Sequence, residues 1–187
     1  AHNLQKVVSD LNSEKLTKIS IARASKEAKS FGTERSIKFS RKIRALLEYL
    51  KGVREESEFS AKEVLEKFDL EDDLEYGIYI GAKIYEKQLK AKKPLRSYVR
   101  RFSRFWQRAL ECEGMEGIAL LQTEEGFEIF DMRAGEMLKE IWDGFFANIF
   151  ISGTLNPVEA FAEVVGLERY KKVVVPSFAS NVHAFIV

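Results

Sequence analysis

Apolar side chains recur at intervals of three and four throughout residues 36–111, and that spacing commits the whole block to helices. Phe39, Ile43, Leu46, Leu47 and Leu50 form one stripe, with Gly52 placed to end its helix. Ser60-Ala61-Lys62-Glu63 has the pattern of a capping box and leads into Val64, Leu65 and Phe68. A longer helix is expected from about Leu74 to Leu89, with Leu74, Ile78, Gly81, Ala82, Tyr85 and Leu89 on one side. The last helix is expected to begin near Pro94, a residue suited to a first turn. Its stripe of Leu95, Tyr98, Val99, Phe102, Phe105, Trp106 and Ala109 is wide enough to be buried against several neighbours.

The flanks are different in character. In residues 1–35, Leu4, Val7, Val8 and Leu11 fall at helical spacing, Leu16–Ile21 alternates like a short strand, and a helix over about 22–30 ends near Gly32. Residues 117–122 and 127–132 read as two strands around Thr123-Glu124-Glu125-Gly126, a hairpin signal. A helix follows with Met137, Leu138, Ile141, Trp142 and Phe145 inward, then the short apolar run Asn148–Ile151, which suits a buried strand. Asn156-Pro157-Val158-Glu159 starts another helix that ends at Gly166, and residues 172–175 and 182–187 read as further strands. The fold class expected is α+β, mainly α: a helical bundle with a small β element, flanked by strand and helix pieces of an α/β layer.

Composition excludes several classes. Hydrophobic residues make up 45% of the 187, enough for a core and too many for a disordered chain. Cys112 is the single cysteine, so no internal disulfide and no cysteine-built zinc or iron–sulfur site can close within the chain. It lies between Glu111 and Glu113, an acidic setting that disfavours a thiolate nucleophile. His2 and His183 are too far apart in sequence to nominate a metal site, and no metal ligand set is expected. No apolar run reaches the roughly 18–20 residues of a membrane span, and no signal peptide is expected at the N-terminus. Scarce Asn and Gln beside abundant Lys and Glu lean toward a thermophilic source.

The net charge is only +1, yet the charges are segregated. Arg54 to Glu75 holds ten acidic and three basic residues, whereas Lys83 to Arg108 holds ten basic and one acidic. Arg96, Arg100, Arg104 and Arg108 are spaced by four and would make a continuous ridge on one helix. Guanidinium groups in such a row repel one another unless an anion lies along them, and phosphate suits their bidentate donors. Lys92, Lys93, Arg96, Arg100, Arg101, Arg104 and Arg108 are therefore the candidate nucleic-acid-binding residues. Two other readings stay open: a solvated face, or a ridge paired with the acidic stretch inside the bundle. Ser152-Gly153-Thr154-Leu155, between an apolar run and a capped helix, sits where open α/β sheets place ligands.

Two short segments carry a resemblance. Ala1-His2-Asn3-Leu4 looks like the end of a helicase DEAH box, with Asp-Glu expected just ahead of Ala1. Ile149–Pro157 resembles motif III of XPD-type superfamily 2 DNA helicases, which read Ser-Gly-Thr-Leu-Ser-Pro where this chain has Ser152-Gly153-Thr154-Leu155-Asn156-Pro157. In that family a helical arch domain with a small β element separates the two motifs, and the helical block here occupies that place. The resemblance implies a parent ATP-dependent DNA helicase of archaeal type. It would move 5′ to 3′ in DNA repair and be cytoplasmic and nucleoid-associated, with ATP, Mg²⁺ and an iron–sulfur cluster bound elsewhere in its chain. It implies RecA-like motor segments at 1–35 and 133–187 and an arch at 36–132. Ala1, His2, Ser152, Gly153 and Thr154 would couple nucleotide state to DNA contact, with no catalytic residue in this piece. No Gly-rich phosphate loop occurs, so no cofactor and no ATP turnover are expected of this polypeptide alone. The expected partners are single-stranded DNA and the remainder of the helicase chain. The alternative is a protein-docking module or a structural spacer without DNA contact.

Overall fold

The computed structural model describes residues 13–151 and 157–173, and these divide into two compact units, one ending at Arg133 and the other beginning at Ala134. Ala1, His2, Ser152, Gly153, Thr154 and Asn156, together with the strand expected at 182–187, lie outside the described residues.

The larger unit starts with β1 (Glu14–Thr17), α1 (Lys18–Phe31) and α2 (Glu34–Leu50). It continues with β2 (Ser57–Glu58), α3 (Ala61–Lys67), a 3₁₀ turn (Glu71–Asp73) and α4 (Leu74–Lys90). It ends with α5 (Tyr98–Cys112), β3 (Ile118–Thr123) and β4 (Gly126–Asp131). The strands form one antiparallel sheet in the order β1-β4-β3-β2. The expected hairpin is present, with Thr123 opposite Gly126 across Glu124-Glu125. A Cβ at Gly126 would stand 2.1 Å from the Leu16 carbonyl oxygen, so only glycine lets β1 close on that corner.

The helices pack α2 on α1, α1 on α5, and α5 on α4. At the centre lies α5, which buries Val99, Phe102, Phe105, Trp106 and Ala109. Phe102 meets Phe39 of α2 edge-on, and Trp106 meets Phe59 and Phe127 the same way, so one helix joins bundle to sheet. Residues 14–31, expected on the motor side, are built into this unit: β1 is a sheet strand and α1 covers α2 and α5.

Four local expectations are corrected. Lys18–Ile21 is the first turn of α1, not a strand, because Thr17 caps it by accepting from the Ser20 amide. The last helix begins at Tyr98 rather than near Pro94, since Ser97 accepts from the Arg100 amide and ends the extended approach. In α4 the buried side is Leu74, Gly77, Ile80 and Gly81, and Leu89 is 69% exposed, so the stripe is rotated from the one expected. Leu50 gives way to a cap at Lys51, and Gly52 falls in the turn beyond it.

The smaller unit contains α6 (Ala134–Asp143) and α7 (Val158–Val164) around Ala134, Leu138, Ala162 and Val165. Trp142 packs on Phe150, Phe150 packs on Phe161, and the Trp142 indole N–H donates to the Val165 carbonyl at 3.0 Å. Ile141 and Phe145 face outward here, contrary to expectation. Asn148–Ile151 is irregular rather than a strand, because no neighbouring strand pairs with it among the described residues; Ile149 and Ile151 are exposed. Lys172 and Val173 are likewise irregular, with 174–175 outside the described residues. Among the described residues no helix is long and apolar enough to cross a membrane.

Candidate nucleic-acid interface

The basic stretch is displayed at the junction of α4 and α5. Its connecting segment is pinned by Gln88, whose amide donates to the Arg96 carbonyl at 2.7 Å and accepts from the Arg96 N–H at 2.8 Å. Lys92 takes a left-handed backbone (φ 51°) to make the turn, and Lys92, Lys93 and Arg96 are all exposed. The start of α5 is fixed from α1: one Glu27 carboxylate oxygen accepts from the Ser97 hydroxyl at 3.1 Å and the Val99 N–H at 3.0 Å. A carboxylate there complements the free amides of a helix N-terminus.

Along α5 the arginines part company. Arg104 is exposed, and neither it nor Arg96 meets a carboxylate among the described residues. Arg101 is exposed and donates to the Lys15 carbonyl at 2.9 Å, tying α5 to β1. Arg100 is half-buried against Gly81, its guanidinium lies over the Tyr85 ring at 4.9 Å, and its Nε is buried with no acceptor among the described residues. Arg108 is drawn inward: it pairs with Glu14 at 3.7 Å and lies in the field of Asp131. The row of four expected on one helix is therefore three helical arginines behind Arg96, and its last member is occupied by the sheet. Phe102, Phe105 and Trp106 are fully buried on the other side.

The acidic stretch turns elsewhere. Asp69 and Asp73 both bond Lys42 of α2 at 2.8 Å, and Asp73 also bonds Arg35 at 3.1 Å. Burial opposes the Lys42 charge, but the bonds from Asp69 and Asp73 outweigh it and hold the ammonium above its ordinary value. Glu86, the one acid of the basic stretch, is taken by Lys83 at 3.1 Å, which raises that ammonium. Arg96, Arg100, Arg101 and Arg104 line an open groove of about 500 Å³ together with Tyr85, Leu95, Tyr98 and the Glu14 carboxylate. Arg23 of α1 lies over the Tyr98 ring and bonds its hydroxyl, adding a cation that the α4–α5 sequence does not reveal.

Gln88, Glu27, Arg23 and Glu14 were invisible to the pattern because each acts across a distance in sequence. Among the described residues no group of acidic, histidine or cysteine side chains is placed to hold a metal ion. No protein-family model and no curated protein matches the chain.

Proposed function

We propose that the larger unit holds single-stranded DNA by its phosphates, as the arch-like part of an XPD-type helicase. Lys92, Lys93, Arg96, Arg100, Arg101 and Arg104 form the contact and Arg108 stands at its margin. In this reading the unit guides the strand passively and without sequence preference, while motor domains that bind ATP and Mg²⁺ pull it. Residues 134–187 belong to the first motor domain, where Ser152, Gly153 and Thr154 couple to nucleotide state, as do Ala1 and His2. An iron–sulfur cluster belongs to another part of such a parent. The parent works in DNA repair, in an archaeal cytoplasm close to the nucleoid.

One observation carries the reading: Arg96 and Arg104 have no carboxylate partner among the described residues, while Asp69 and Asp73 of the acidic stretch turn to Lys42 and Arg35 instead. Cations left without internal partners around a groove suit a polyanion whose affinity comes from its backbone. Fluorescence anisotropy with a labelled oligodeoxynucleotide over a salt series tests it. Binding that weakens steeply with salt, and that loses part of its slope in Arg104→Ala, is the expected result. No binding at low salt, or a slope that the substitution leaves unchanged, overturns it.

A further inference from the structure

Arg100 is unlike the arginines around it. Arg96 and Arg104 extend into solvent, as phosphate clamps do, but Arg100 is half-buried. Its stem is pressed against Gly81, where a Cβ would stand 2.3 Å from the Arg100 Cβ. With the stem held, the guanidinium rests over the Tyr85 ring at 4.9 Å. A guanidinium laid on an aromatic ring is a planar, weakly hydrated surface, and nucleobases stack on such planes as they do on aromatic rings. Leu95, 49% exposed on the same groove, adds an apolar wall that a phosphate-only site has no use for. The groove, about 500 Å³ and open to solvent, has room for a base beside a phosphate.

We infer that the Tyr85–Arg100 pair, with Leu95 beside it, is a stacking subsite for one unpaired base, flanked by phosphate contacts at Arg96 and Arg104. The inference rests on the proposed function and adds to its phosphate contacts a base contact at Tyr85 and Arg100. A duplex presents its phosphates but keeps its base faces closed, so only a single strand satisfies both halves of the groove.

The test compares a labelled oligothymidylate with an abasic strand of equal length, which has the same phosphates and no bases. At matched salt the intact chain should bind oligothymidylate about five- to tenfold more tightly, the scale of one stacked base. Arg100→Lys keeps the charge and the stem but removes the plane; it should abolish that preference and leave the salt slope unchanged. Leu95→Ser, on an exposed segment outside the helices, should shrink the preference without touching the fold. Arg104→Ala should do the reverse, lowering the slope and keeping the preference. Equal affinity for the two strands overturns the stacking subsite and leaves phosphate guidance standing. A preference that survives Arg100→Lys also overturns it. Failure to bind either strand overturns both readings.

Discussion

A Cβ on Gly81 would come within 2.3 Å of the Cβ of Arg100, so α4 and α5 meet where one of them has no side chain. One turn earlier, a Cβ on Gly77 would stand 2.0 Å from the Ser103 hydroxyl and 3.0 Å from the Phe39 ring. Alanine in a helix interior gains about 1 kcal/mol over glycine. Overpacking costs about 1–3 kcal/mol, and the Arg100 Cβ is fixed to backbone and cannot swing aside. Gly81→Ala should therefore lower stability, by up to about 2 kcal/mol. Urea unfolding followed by Trp106 fluorescence, in a Trp142→Phe background, reads the change; an unchanged midpoint would mean the two helices separate freely.

Ser103 makes the opposite case. Its hydroxyl is buried with no partner among the described residues, three residues on from Arg100 and three before Trp106, whose indole N–H is also unpartnered. Removing an unsatisfied buried hydroxyl takes away a desolvation cost of about 1–3 kcal/mol while leaving only a small void. Ser103→Ala should be neutral or stabilising, with a urea midpoint at or above that of the parent chain. A marked loss of stability would reveal a partner for that hydroxyl.

Arg104 and Arg108 should separate binding from folding. Arg104→Ala should lower the logarithmic salt slope of single-strand binding by about 0.7. It should change stability by less than about 0.5 kcal/mol, since Arg104 is exposed and has no ion-pair partner among the described residues. Arg108→Ala breaks the contact with Glu14 and should cost up to about 1 kcal/mol, with a smaller effect on the slope. Equal effects on both readouts would merge the two residues into one role.

Acid should loosen the end of the sheet. Asp131 is 1% exposed, and its carboxylate accepts from the Arg133 Nε at 3.0 Å, the Arg133 Nη2 at 2.8 Å and the Arg133 N–H at 3.0 Å. The Arg133 side-chain bonds lead in holding the Asp131 carboxyl below its ordinary value, against the effect of burial. A depressed folded value means the stabilisation is fully present above the unfolded value of about 3.9 and is lost as pH falls through the folded one. Asp131→Asn should lower stability at neutral pH by about 1.5–3 kcal/mol and flatten the acid limb of a stability–pH curve. An acid limb of unchanged steepness would assign the loss to other carboxylates.

What the sequence made legible follows from where the determining forces lie. The cap at Ser60 and the α5 stripe from Val99 to Ala109 are local, and both are where the pattern put them; Leu95, expected in that stripe, is exposed ahead of the helix. Leu16–Ile21 misled because its alternation is real only as far as Thr17: β1 is held by β4, more than a hundred residues on, and the Thr17 hydroxyl hands the rest to a helix. The α4 stripe was misphased because its interface with α5 is made by Gly77 and Gly81, which carry no hydrophobic signal. For the site, charge segregation located the cations. It did not show that Glu14 would claim Arg108 or that Tyr85 would claim Arg100, since those pairs depend on how strands and helices come together.

The pairing of β1 with β4 has a consequence for how a unit like this is carried. Glu14 stands opposite Ile129, and the Asp131 amide donates to the Ser13 hydroxyl at 3.2 Å. The first and last described strands of the larger unit are thus adjacent and antiparallel, about 5 Å apart. Any chain that carried this segment between its own two halves would have little to bridge, because both ends of the segment arrive side by side. Ser13 and Asp131 lie close enough for a two- or three-residue linker of about 10 Å reach to join them. The segment in turn can be grafted into any exposed turn whose ends lie one strand spacing apart.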